Sequence, residues 1–365
     1  MSNDLVVIGS GIVGLNSAIS FKSRYPKSNV LVIERGVLPY GASTKNAGFA
    51  CFGSVSELVN DLKSMSESGV WETVELRYKG LLKLRSLLGD KAIDYKSYGG
   101  YEVFNKKVTF ERYATFIEPF NKRIKEIVGK GKIYKVNSKK IKGSGFRGFS
   151  HCIENAAEGQ IDTGKMMESL LGLAREKGIK ILNGIDIKSI GDTGEEVELT
   201  TKDNFSFKAK KVIVATNGFA RELLKKEDVK PARAQVLVTS PIRDLKIKGA
   251  FHYEEGFYYF RNINDRVLFG GGRNLDLRAE ETSEFGLTRK IQQKLEELLR
   301  ENILPGQKYT IEYRWSGIMG VGSEKKPIIR HVSPNTVCAV RMGGMGVAIG
   351  SMVGELAVKE LIKGS

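Results

Sequence analysis

Residues 5–18 read LVVIGSGIVGLNSA. An apolar run, Leu5 to Ile8, meets three glycines, Gly9, Gly11 and Gly14, and then a helix-compatible stretch. Each glycine answers a separate demand: Gly9 a tight turn out of a strand, Gly11 close approach of backbone to a pyrophosphate, Gly14 close packing of helix on strand. The helix they open, with Ile12 and Val13 in its first turn, offers unpaired N–H groups and a positive dipole end to phosphates. It is expected to stop near Tyr25, because Pro26 disfavours helical geometry in the residue before it. A second apolar run, NVLVIER (29–35), follows. Its Glu34 lies 20 residues after Gly14, where a strand-end carboxylate accepts ribose hydroxyls. Strand, glycine turn, helix, strand and acid in register imply an ADP-containing cofactor, and NAD and FAD both fit this much.

The next stretch, RGVLPYGASTKNAGFACFGS (35–54), is small and polar beyond Arg35: Ala42, Ser43, Thr44, Asn46, Ala47 and Gly48 suit a backbone passing close to a flat ligand and its phosphates. Lys45 sits within it as a further cofactor contact. In GQIDTGKMMESLLGLAREKGIKILNGIDIKSI (159–190), Asp162 or Thr163 caps a helix whose apolar stripe is Met166, Leu170 and Ala174. Gly178 ends that helix before a strand predicted from Ile181 to Ile187. KKVIVATNGFA (210–220) reads as a buried strand ending in Thr216, Asn217 and Gly218. NTVCAVRMGGMGVAIGSMVGELAVKEL (335–361) reads as a strand, a second glycine turn through Gly343, Gly344, Met345 and Gly346, and a helix from Val347.

Together these stretches resemble the D-amino-acid oxidase-like family of flavoproteins, which includes glycine, sarcosine and gamma-glutamylputrescine oxidases. The resemblance spans essentially the whole chain. It implies a glutathione-reductase-like, Rossmann-type FAD-binding domain of α/β class, with a second, mainly antiparallel β-sheet substrate domain (α+β). It assigns residues 1–85, 150–225 and 322–365 to the first domain, and 86–149 and 226–321 to the second. It implies that residues 42–48 run along the pyrophosphate and the ring, that Ile187 and Thr216–Gly218 return backbone against the cofactor, and that the closing helix points its N-terminus at the flavin. A helix dipole there stabilises negative charge on the reduced ring. The cofactor is therefore expected to be FAD. Non-covalent binding is expected because the stretch 304–334, where covalent relatives carry the linking cysteine, has none.

Composition sets outer limits. With 365 residues, 41% hydrophobic and 27% charged, the chain is an ordinary globular protein of one or two domains. No transmembrane helix or secretory leader is expected. Cys51, Cys152 and Cys338 show no CxxC spacing, so a cytoplasmic location with reduced thiols is expected, Cys51 as a buried inert thiol. The net charge of +16 favours anionic partners, but the lysines are dispersed, so no nucleic-acid surface is expected. His151, His252 and His331 lack ligand spacing to one another or to the cysteines, and no metal is expected.

The substrate domain holds strand-like blocks. In the second, GFYYFRNINDRVLFGGGRN (256–274) reads as a hairpin, and TRKIQQKLEELLREN (288–302) as an amphipathic helix with Ile291, Leu295 and Leu298 on one face. Lining the hairpin up with glycine oxidase puts Tyr258 at a substrate-contacting tyrosine and Arg273 at a pocket-facing position. Where that family member carries a carboxylate-binding arginine, this chain has SGIMG (316–320), with Met319 in its place. Arg273 and Arg341 are the candidate replacement cations. The resemblance implies hydride transfer from a small amine or amino acid to FAD, hydrolysis of the imine, and reoxidation by oxygen or an electron carrier. A homo-oligomer is compatible with it. A 2-hydroxy-acid dehydrogenase, a flavin enzyme acting on a modified tRNA base and a flavin-binding subunit without turnover remain as alternatives.

Overall fold

The computed structural model describes residues 3–363. Two large sheets organise it. The first runs, in spatial order, Ile328–Ser333, Thr336–Val340, Ser206–Val214, Asn3–Ile8, Val30–Ile33 and Lys180–Leu182. Its central pairings are parallel, with Val7 opposite both Val32 and Ile213. Leu5 to Ile8 are all buried, as a parallel strand covered on both faces requires. Leu5 and Val7 face a helical layer, while Val6 and Ile8 join the cluster around Val212, Val214 and Leu199.

The helical layer contains Ile12–Arg24, Thr163–Glu176, Glu67–Leu88 and Gly346–Lys363. The first helix stops before Tyr25, as Pro26 predicts. The Asp162 carboxylate caps Thr163–Glu176, accepting from Lys165 N. First and last helices touch backbone to backbone. A Cβ on Gly350 would stand 2.6 Å from Ile12 Cγ2, and one on Gly354 would stand 2.8 Å from Val13 O. Because 350 meets 12–13 and 354 meets 16–17, the two helices run parallel and their N-termini open on the same side.

The second sheet runs Ile311–Val321, Lys230–Thr239, Arg266–Gly271, Tyr258–Ile263, Ala250–Tyr253, Gly100–Phe104, His151–Asn155 and Tyr134–Val136. All neighbours are antiparallel except Ala250–Tyr253 on Gly100–Phe104. One face is an aromatic core of Phe251, Tyr253, Tyr258, Phe260 and Phe269, closed by Ile291, Leu295 and Leu298 of the helix Arg289–Leu298. The other face carries Val236, Val238, Leu268, Tyr259 and Trp315, packed on Ala47. This sheet is the roof over the segment 42–49.

Two expectations need correction. The strand predicted from Ile181 to Ile187 is broken: Lys180–Leu182 pairs with Val30–Ile33, the chain turns through Gly184 (φ +75°), and a separate strand, Ile187–Asp192, pairs with Val197–Thr201. Gly184 N and Ile185 N donate instead to the carbonyls of Gly36 and Glu34, bending the chain along the cofactor side. The boundary drawn at residue 150 also misses the sheets, because His151–Asn155 pairs with Gly100–Phe104 in the roof. Among the described residues no helix is long and apolar enough to cross a membrane.

Candidate functional site

The first glycine turn opens on a cleft between the first strand–helix junction and the segment 215–219. Gly9, Gly11, Glu34, Arg35, Ala42, Ser43, Ile187, Thr216, Asn217 and Gly218 line it, all named by the sequence reading. Lining residues that reading missed include Ile185, Asp186, Phe219 and Ile318. Phe219 directly follows a recognised motif, so adjacency was the available signal. Ile185 and Asp186 were hidden inside a strand that does not exist.

The cleft's polar groups suit a dinucleotide. Ile12 N donates to Ser43 Oγ at 2.9 Å, while the N–H groups of Val13 and Gly14 have no acceptor among the described residues. They are the orphan donors of a helix N-terminus, available to a pyrophosphate. A Cβ on Gly11 would lie 2.7 Å from Ser43 Oγ, and one on Gly14 only 1.8 Å from Gly9 O. Glu34 is anchored rather than free: one oxygen accepts from Ser10 N and Ser10 Oγ, the other from Gly36 N. Its remaining lone pairs are left for ribose hydroxyls. Arg35 stacks over Phe219 at 3.7 Å and pairs with Glu222. Thr216 Oγ1 is buried at the cleft wall with no partner among the described residues.

Thr44, Asn46, Ala47 and Gly48 lie outside this lining and build the segment's path instead. Asn46 Oδ1 accepts from Gly48 N and Thr163 Oγ1, and Thr44 Oγ1 donates to Pro39 O. Lys45 O accepts from the Trp315 indole at 2.9 Å, and its ammonium lies 5.0 Å from the Tyr40 ring. Buried Arg261 donates to the carbonyls of Ala47, Ile161 and Asn262. Burial lowers this guanidinium's pKa to about 10, and no carboxylate pairs with it among the described residues.

Gly343, Gly344, Met345, Gly346 and Val347 also lie outside the lining, yet they are tied to it: Met342 N donates to Asn217 Oδ1 at 3.1 Å. Gly343 and Gly344 take left-handed backbone, and Gly344 abuts Met319 Sδ. The helix beyond leaves the N–H groups of Gly346 and Val347 without acceptors among the described residues. Two parallel helix ends thus open on the same side of the sheet, the second tied to the cleft wall through Asn217.

A sequence model of the FAD dependent oxidoreductase family matches residues 4–360. The chain belongs to that family. Its members depend on FAD, and the two helix ends, the anchored acid and the buried Thr216 hydroxyl fit that cofactor. Among solved structures, the glycine oxidase of Bacillus cereus ATCC 14579 superposes with a TM-score of 0.79 at 14% identity, covering 100% of this chain and 98% of that one. L-proline dehydrogenase from P. horikoshii gives 0.78 at 18%, covering 100% and 94%. Iminodiacetate oxidase from Chelativorans sp. BNC1 gives 0.76 at 19%, covering 98% and 95%. No curated protein sequence matches.

The substrate-side residues fare differently. Tyr258, expected at the substrate, is 2% exposed in the aromatic core on the far face of the roof. Its neighbour Tyr259 takes the inner face against Phe49, at a ring separation of 5.6 Å, since successive strand residues point oppositely. Arg341 is buried and neutralised: it donates to Lys326 O and pairs with Asp228 at 2.7 Å, in left-handed backbone. It braces the loop that precedes the closing strands and is not a substrate cation. Arg273 differs. Its acidic neighbours are engaged elsewhere, Glu280 by Arg233 and Glu281 by Lys230, and Arg273 has no ion pair among the described residues. Burial lowers its pKa.

Proposed function

We propose that this family member oxidises the C–N bond of a small carboxylated amine or amino acid, with Arg273 binding the carboxylate. The observation that carries the reading is Arg273 itself, a half-buried guanidinium without a carboxylate partner among the described residues, where Arg341 is neutralised. A guanidinium desolvated without a partner is costly, and a bidentate substrate carboxylate offsets that cost. Bound FAD supplies the hydride acceptor, and the imine product hydrolyses in water. The protein's own part is positioning: Tyr259, Phe49 and Trp315 wall the inner face of the roof, and Arg273 fixes one end of the substrate. The similar structures are of proteins named for glycine, L-proline and iminodiacetate, all carboxylated amines, which agrees with this substrate class. Three free, buried cysteines agree with a cytoplasmic setting.

The test is an anaerobic panel of amino acids, plain amines and 2-hydroxy acids, followed at the flavin absorbance band. Bleaching by a carboxylated amine supports the reading. Bleaching by a hydroxy acid alone, or by amines regardless of carboxylate, overturns it.

A further inference from the structure

Three segments far apart in sequence bring a thiol, a carboxylate and an imidazole together beneath the roof. A ring nitrogen of His252, the Sγ of Cys51 and a carboxylate oxygen of Glu158 lie within 4.8 Å of one another, and all three residues are buried. His252 is 7% exposed, and its Nε2 has no hydrogen-bond partner among the described residues. A buried nitrogen left unsatisfied is destabilising unless something occupies it. None of the three residues lines the dinucleotide cleft.

We infer that Cys51, Glu158 and His252 bind one divalent transition-metal ion of zinc's class, with His252 Nε2 as the nitrogen ligand. Sulfur, imidazole nitrogen and carboxylate oxygen are the donor set such an ion takes, and three protein ligands leave a fourth position open. The surroundings supply the outer partners a metal site uses. Glu57 Oε2 stands 3.9 Å from His252 Nδ1, on the ring's other nitrogen. Glu57 is itself held by Ser54 N at 3.1 Å and Ser54 Oγ at 2.8 Å. Glu158 is fixed through Oε1, which accepts from Phe52 N and Gly53 N, leaving Oε2 for the ion.

Binding a divalent ion through Cys51 would release the thiol proton to solvent and leave the thiolate bonded to the metal. The ion would sit behind Phe49, whose ring contacts both His252 and Tyr259, and would anchor the segment two residues from that ring.

The test uses the purified flavin-loaded protein, stripped with a chelator, dialysed against zinc chloride and then against metal-free buffer. About one zinc per chain, with a sulfur neighbour at about 2.3 Å in X-ray absorption, is expected. Cys51→Ser should lose the sulfur neighbour, and His252→Gln should weaken zinc binding by about tenfold or more, both with the flavin band retained. Substoichiometric zinc in the wild-type chain, zinc without a sulfur neighbour, or an unchanged sulfur signal in Cys51→Ser would overturn the assignment. The wild-type absorption spectrum decides the matter even where a variant fails to fold.

Discussion

The dinucleotide end and the inner face of the roof are both built from backbone turns and buried polar side chains, but they are assembled differently. At the dinucleotide end, contacts within one strand–helix–strand unit are prominent: Ser10 and Gly36 both donate to the Glu34 carboxylate. At the roof, each functional group has partners scores of residues away, such as Arg261 on Ala47 and Ile161, Trp315 on Lys45, and His252 against Glu57. The first glycine turn is thus built largely within one local unit, whereas the inner face of the roof depends on the whole second sheet being in register.

The largest effect expected of any variant falls at the first region. Gly11→Val should leave the chain colourless, flavin content dropping by about tenfold or more, because a side chain there collides with Ser43 Oγ and blocks the helix end. Normal flavin absorbance in the purified variant would show that the local motif is dispensable. Next, Arg273→Ala should keep the flavin and lower kcat/KM for a carboxylated amine by about a hundredfold, the loss expected of a charged hydrogen-bonding pair. Stopped-flow flavin reduction measures it, and unchanged kinetics would remove Arg273 from the site.

The two faces of one strand give a finer comparison. Tyr258→Ala should lower stability by about 3 kcal/mol through the cavity it leaves, with activity per bound flavin preserved. Tyr259→Phe should leave Tm nearly unchanged while shifting KM. Thermal melts beside steady-state assays separate the two, and the opposite pattern would reverse the facing described above.

The smallest effect expected is one of pH. Burial raises the Glu102 carboxyl to about 8 despite its bonds from Ser56. The folded chain therefore holds a proton that the unfolded chain releases above its ordinary value. Stability from this group is complete at acid pH and is lost as pH rises through about 8. Burial raises Glu158 likewise, while Glu57 is lowered and acts oppositely. Glu102→Gln should flatten the fall in Tm between pH 5 and 8, since the amide cannot ionise. A slope equal to wild type would show that Glu102 is not its source.

The sequence was most readable where chemistry is local. The helix end before Tyr25, the Asp162 cap, the Asn264–Asp265 hairpin turn and the stripe of Ile291, Leu295 and Leu298 all follow from spacing within a few residues. It misled where tertiary contacts decide. Apolar residues from Ile181 to Ile187 suggest one strand, but the carbonyls of Gly36 and Glu34 draw the chain out of the sheet. Two adjacent tyrosines cannot reveal which of them faces inward. Arg341 and Arg273 look alike until Asp228 is found paired with one, while the other has no ion pair among the described residues. Spacing also kept Cys51 and His252 apart, 201 positions from each other, although the fold places them together.

Arg261 carries a consequence for how the molecule comes into being. A single interior cation from the hairpin ties a carbonyl of the early loop, that of Ala47, to the carbonyl of Ile161, so the loop's final setting is completed only once residues translated more than two hundred positions later have arrived. Capture of the yellow prosthetic group is on this account a late event in biogenesis, and a nascent chain bearing the complete amino-terminal fingerprint would still emerge empty.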